Sequence, residues 1–112
     1  MPPYGPLKII GECNLPATSL DADVLIETTE ANSDVAGDDL ENGDLDPGDP
    51  RSERLLEDAG ATSSPGPETS DGNDDQFYAR APSGRALAGT VNPYAHKDAG
   101  ICKFSGFIAI TG

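Results

Sequence analysis

The chain has 112 residues, a formal charge of −13 and a sequence pI of about 4.1, so one domain fits and two ordinary ones do not. That charge makes nucleic acid and anionic membranes poor direct partners. No apolar run approaches a membrane-spanning helix, and the start MPPYGPLKIIGEC lacks the basic region and long apolar stretch of a secretory leader. Leu, Ile, Val and Phe number 21, just under a fifth of the residues, which with this charge borders on the composition of disordered chains. Folding completed by self-association or by a partner is therefore expected.

In chain order, MPPYGP holds three prolines, which fix φ and remove donors, and reads as extended. Residues 1–11 are expected to form an arm whose Tyr4, Leu7 and Ile9 dock on another chain. The prolines reduce the entropy lost when such an arm orders. Within LKIIGEC, Leu7, Ile9, Gly11 and Cys13 alternate with Lys8, Ile10 and Glu12, which predicts a first strand. DADVLIETT (21–29) predicts a second, with Val24 and Ile26 opposite Leu25 and Glu27.

Residues 30–75 read as an acidic, loop-rich excursion. The stretch DVAGDDLENGDLDPGDP (34–50) holds seven acids, three glycines and two prolines in seventeen positions and has no period. Asp49 as a cap, Pro50 at the first helical position and Gly60 as a stop predict one short helix over 50–59. ATSSPGPETSDGNDD (61–75) has loop composition.

Order returns over 76–112. Phe77, Ala79 and Ala81 alternate with Tyr78 and Arg80, and GRALAGTVN is small-residue strand or turn material. Asn92, Pro93 and Gly100 outline a single helical turn. ICKFSGFIAITG predicts a closing strand with Cys102, Phe104, Ile108 and Ile110 on one face. Gly106 within it marks a bulge or a close backbone approach. The fold expected is mostly β: a small sandwich or barrel-like unit built from both chain ends, with the acidic excursion between them, all within one domain (1–112).

Charge follows the same division. Residues 21–75 hold 18 of the 20 acids with only Arg51 and Arg54 as bases, whereas 76–112 sum to +3. Thirteen Asp and seven Glu against three Lys suit concentrated salt, where screening acts within about 3 Å at 1 M rather than about 10 Å at 0.1 M. An acidic disordered spacer suits the same composition.

No set of residues carries chemistry. A calcium loop started at Asp44 places Gly48 at its fifth position and Leu55 at its twelfth; one started at Asp38 places Leu40 at its third. Neither register supplies the ligands, which leaves only weak, irregular cation binding to Asp44, Asp46 and Asp49. His96, the single histidine, reads as a turn residue without a catalytic partner. Ser63, Ser64 and Ser83 lack a nucleophile elbow, and PSGRALAG lacks a phosphate-loop lysine. Arg80, Arg85, Lys97 and Lys103 are too sparse for nucleic acid. Cys13 and Cys102 are too few for a disulfide scaffold and wrongly spaced for zinc. They read as buried free thiols, a bridge requiring that their strands pair. The chain is read as a non-enzyme without catalytic residues, cofactor or metal.

FYARAPSGRALAGTVNPYAHKDAGICKFSGFIAITG (77–112), a small-residue strand and then an Ala-Gly turn into a final strand, resembles the closing portion of capsid decoration, or cement, proteins of tailed viruses. The proline-containing N-terminal arm is similar in kind to the arms such proteins lay on the shell. The resemblance implies a β-rich, often trimeric protein that binds the major capsid protein on the outer surface and stiffens the shell. It would be assembled in the host cytoplasm, here of a salt-loving host. The competing expectation is a soluble acidic binding module, either a nucleic-acid mimic or a weak cation binder.

Overall fold

Side chains that are buried and exposed at every second position run through most of the chain and organise it as strands. The computed structural model describes residues 5–15, 19–37, 43–62, 69–84 and 86–111. They form β1 (Leu7–Asn14), β2 (Ser19–Thr28), β3 (Ser33–Ala36), β4 (Asp44–Leu45), a 3₁₀ turn (Arg51–Glu53), β5 (Leu55–Thr62), β6 (Ser70–Gly72), β7 (Asp75–Arg80), β8 (Ala86–His96) and β9 (Ile101–Thr111).

Every pairing is antiparallel. Sheet I has the order β1-β2-β5, with Cys13 opposite Ala22 and Ala22 opposite Ala59. Sheet II runs β4-β3-β7-β8; β6 continues the β7 side of β8, and β9 lies along its other side from His96↔Ile101 to Ala86↔Thr111. Between the sheets, Leu7, Ile9, Val24, Ile26 and Leu56 meet Val35, Leu45, Phe77, Leu87 and Val91. A smaller cluster of Leu20, Ala22, Ala59, Ala61 and Ala95 fills the neighbouring part. The molecule is thus mostly β, two antiparallel sheets over one interior, in keeping with a small sandwich.

The described residues of the acidic middle are part of this body rather than an excursion from it. Val24, Leu25, Ile26, Val35, Leu45 and Leu56 all lie between residues 21 and 75, and all are buried. In β3, Ser33 and Val35 point inward and Asp34 and Ala36 outward; in β4, Leu45 is buried and Asp44 exposed. Apolar residues placed singly between acids serve strands this short as well as a longer run would.

The helix expected over 50–59 is replaced by the 3₁₀ turn and β5. The capping signals are local, and a short exposed helix is marginal. As a strand, Leu55–Thr62 pairs with β2 and buries Leu56, Ala59 and Ala61. The helical turn expected near Pro93 is strand too. Pro93 falls between the β7 pairing, which ends at Val91, and the β6 pairing, which starts at Tyr94. Its carbonyl accepts Asn73 N–H there, so the donor it lacks faces a gap in the ladder. Turn residues 97–100 follow instead, with Gly100 N–H bonded to the Lys97 carbonyl.

The cysteines are not free thiols. Cys13 and Cys102 form a disulfide with Cα atoms 5.9 Å apart. Their strands do not pair; β1 and β9 belong to opposite sheets and stack across the interior. Two residues along, the Phe104 ring lies against Gly11, where a Cβ would sit 2.9 Å from it. Within the β8–β9 hairpin Gly106 marks a close backbone approach without a register shift: a Cβ there would sit 2.5 Å from the Thr90 carbonyl oxygen.

The bridge closes a loop across 89 positions, and in a chain-entropy estimate contributes about 4–5 kcal/mol. Cys13→Ser with Cys102→Ser, or reductant on the native chain, should lower unfolding stability by that order. Urea titration with and without reductant measures it; an unchanged midpoint would mean the bridge adds nothing to the fold.

Candidate interaction face

The residues expected to dock on a partner are placed differently by the structure. Leu7 and Ile9 are wholly buried in this chain's own core, because β1 is zipped to β2 from Leu7↔Thr28 onward. Tyr4 lies outside the described residues. Any arm at the N-terminus therefore stops short of Leu7.

Asp44, Asp46 and Asp49 do not converge as ligands. Asp46 Oδ1 accepts Asn32 N–H at 2.7 Å, and Asp49 Oδ2 accepts Asp46 N–H at 2.7 Å. Two of the three carboxylates thus hold the 46–49 turn against neighbouring backbone. A small cavity of about 160 Å³ lies behind them, where Arg54 donates to Glu27 at 2.6 Å. Among the described residues no group of three or more His, Cys, Asp or Glu could hold a metal ion. His96 Nδ1 accepts Ala99 N–H at 3.1 Å and closes the β8–β9 turn.

Acidic side chains gather on the outer face of sheet I. Register sets Glu12, Asp23 and Asp58 in one row and Lys8 beside Glu27 in another. Arg51 reaches over this face to bind Asp23 and Glu12, the latter at 3.1 Å, and Asn14 Nδ2 donates to Asp23 at 3.2 Å. Asp23 is nearly inaccessible, so the guanidinium and the amide replace its hydration. Burial acts against the Arg51 charge, but hydrogen bonds to Glu12 and Asp23 and the field of both carboxylates outweigh it and raise the Arg51 pKa. Arg51 and Arg54, the two bases of residues 21–75, are both spent on this face. Helical spacing, the only pattern available for them in sequence, gave no hint of partners on β1 and β2.

Sheet II has the opposite character. Its outer face carries the rows Tyr78–Ala88–Ala109 and Gln76–Thr90–Phe107 across β7, β8 and β9. Tyr78 is 47% and Phe107 73% exposed, and a shallow groove of about 360 Å³ runs between Gln76, Thr90 and Phe107 over a floor of Ala88, Gly89 and Ala109. The outward positions of these three strands include Arg80 and Lys103 and no acid. A chain of charge −13 thus holds, over β7, β8 and β9, a patch without carboxylates that carries two exposed aromatic rings; the outward acids of this sheet, Asp34 and Asp44, lie beyond β7 on β3 and β4.

No protein-family model matches this chain, and neither a curated protein nor a solved structure is found similar to it. Among the described residues no helix is long and apolar enough to cross a membrane.

Two outcomes follow from this geometry. Arg51→Met leaves the buried Asp23 carboxylate with Asn14 alone and should cost about 1–3 kcal/mol, discounted because Arg51 is itself half-exposed. Pairing this change with Asp23→Asn should recover part of the loss, and a denaturation cycle over the four chains reads the coupling. The crowded acids of sheet I and its turns should make the melting temperature rise from low to molar sodium chloride, with little response to millimolar calcium. A melt indifferent to sodium chloride but raised by a few equivalents of calcium would restore Asp44, Asp46 and Asp49 as ligands.

Proposed function

We propose that the protein is a structural virion component that seats on the outer capsid surface, contacts the major capsid protein through the acid-free patch of β7, β8 and β9 on sheet II, and stiffens the shell. The observation that carries this reading is the segregation of the surface. A patch without acids and with exposed aromatic residues is suited to lie on a larger protein, while acidic sheet I turns to solvent and stays hydrated. Interfaces gain most of their affinity from a few such aromatic anchors. The bridge between Cys13 and Cys102 agrees with a particle that meets an oxidising exterior, forming after assembly in a reducing host cytoplasm. The −13 charge agrees with a salt-loving host and with a role free of nucleic acid and membrane. Association of several copies, as a trimer in the decoration-protein pattern, belongs to the same proposal.

The test is binding of purified protein to particles stripped of it. Tyr78 is 47% exposed on the face, so Tyr78→Glu should leave thermal unfolding unchanged and weaken particle binding by roughly tenfold or more. Purified particles should also contain many copies of the native chain. Particles that lack it, or equal binding by the variant, would overturn this reading.

A further inference from the structure

Sheet II has one edge that is neither short nor acidic. β9 pairs with β8 along its whole length, and no described strand occupies its other side. Other described edges carry the usual protection against edge-to-edge pairing. β4 has two residues and an exposed Asp44; β6 has three and carries Asp71. In sheet I, β5 bears Glu57 and Asp58, and β1 bears Lys8 and Glu12. β9 has 11 residues, no proline and Lys103 as its sole charge, with Ile101 40%, Phe107 73% and Ile110 48% exposed.

We propose that two copies of this chain pair their β9 strands antiparallel about a two-fold axis at Phe107, joining their second sheets into one. The inference goes beyond the virion reading and does not rest on it. It builds a dimer, where the resemblance implies a trimer.

Charge and register both select a second copy as the occupant. Two bodies of charge −13 repel wherever their acids face each other, and the β8–β9 hairpin is where they can meet without that cost. From Ala86 to Thr111 it sets Lys97 and Lys103 against Asp98 alone. An isologous contact must be self-complementary. Centred on Phe107, antiparallel register sets Phe104 opposite Ile110, small Gly106 opposite larger Ile108, and Phe107 opposite its own copy. Lys103 falls opposite position 111 rather than on the other Lys103, so no like charges meet across the ladder. Every free N–H and C=O of the edge finds a partner within the paired length.

Sedimentation equilibrium on the native chain, on Phe107→Glu, on Phe107→Lys and on an equal mixture of the two variants tests this. Phe107 is largely exposed, so each variant should melt with the native chain. The native chain should dimerise with concentration, more tightly as salt screens the bodies. Either variant alone sets like charges against each other at the axis and should associate roughly tenfold or more weakly. The mixture sets opposite charges there and should recover the dimer. A native chain that stays monomeric at sub-millimolar concentration, single variants that dimerise as well as it does, or a mixture that remains monomeric would each overturn the proposal.

Discussion

The Cys13–Cys102 bridge sits where the interior is thinnest, and the arrangement of the two sheets depends on it. The larger cluster is filled by Leu, Ile, Val and Phe side chains, but the neighbouring one contains four alanines and a single leucine. Alanine contributes little apolar area, so this part gains less from the removal of water than the other. Cys102 and Phe104 pack against the alanine cluster from β9, and Phe104 closes down on Gly11 of β1. A covalent tie at that margin restricts the unfolded chain where side-chain burial has least to offer. It also fixes β1 over β9, so the outermost strands of the two sheets share one side of the molecule.

The strands legible in sequence were those with room to display a period. β1, β2, β7 and β9 each run for six residues or more with apolar positions at every second place. β3 and β4 span four and two residues, and windowed composition reports only the acids around Val35 and Leu45. β5 was misread because Asp49, Pro50 and Gly60 form a consistent set of helix boundary signals. Long-range pairing with β2 overrides such signals, and only three residues keep a helical turn. The bridge is not legible from strand pairing within one sheet, because sandwich strands also meet face to face.

The interaction face was less legible for a related reason. Alternation in β7 and β9 shows which residues share a side, but not which strand lies beside which. Gln76 and Phe107 are 31 positions apart, and only β8 between their strands makes them two sides of one groove. Arg51 and Glu12 are 39 apart and meet through the fold of 46–54 over sheet I. The opposite error befell Leu7 and Ile9. An apolar pair near a proline-rich start resembles an anchor for another chain, yet the pairing of β1 with β2 turns both side chains into the interior between the sheets.

Uneven charge along the chain becomes uneven charge in space through strand order alone. β2 and β5, the acid-rich strands, lie side by side in sheet I, while β8 and β9, with few charges, are neighbours in sheet II. β3 and β4, which come from the acidic segment, do bring Asp34 and Asp44 to the outside of sheet II, but at the edge away from β9. Segregation has a cost: Glu12, Asp23 and Asp58 stand in one row on one face, and Arg51 must reach across β1 and β2 to offset the repulsion between Glu12 and Asp23. What it gains is a patch over β7, β8 and β9 with no such repulsion to overcome on contact. A uniformly acidic sandwich would be soluble and solitary. This one gathers carboxylates on sheet I and retains over β7, β8 and β9 a patch on which close packing against protein would strand no carboxylate.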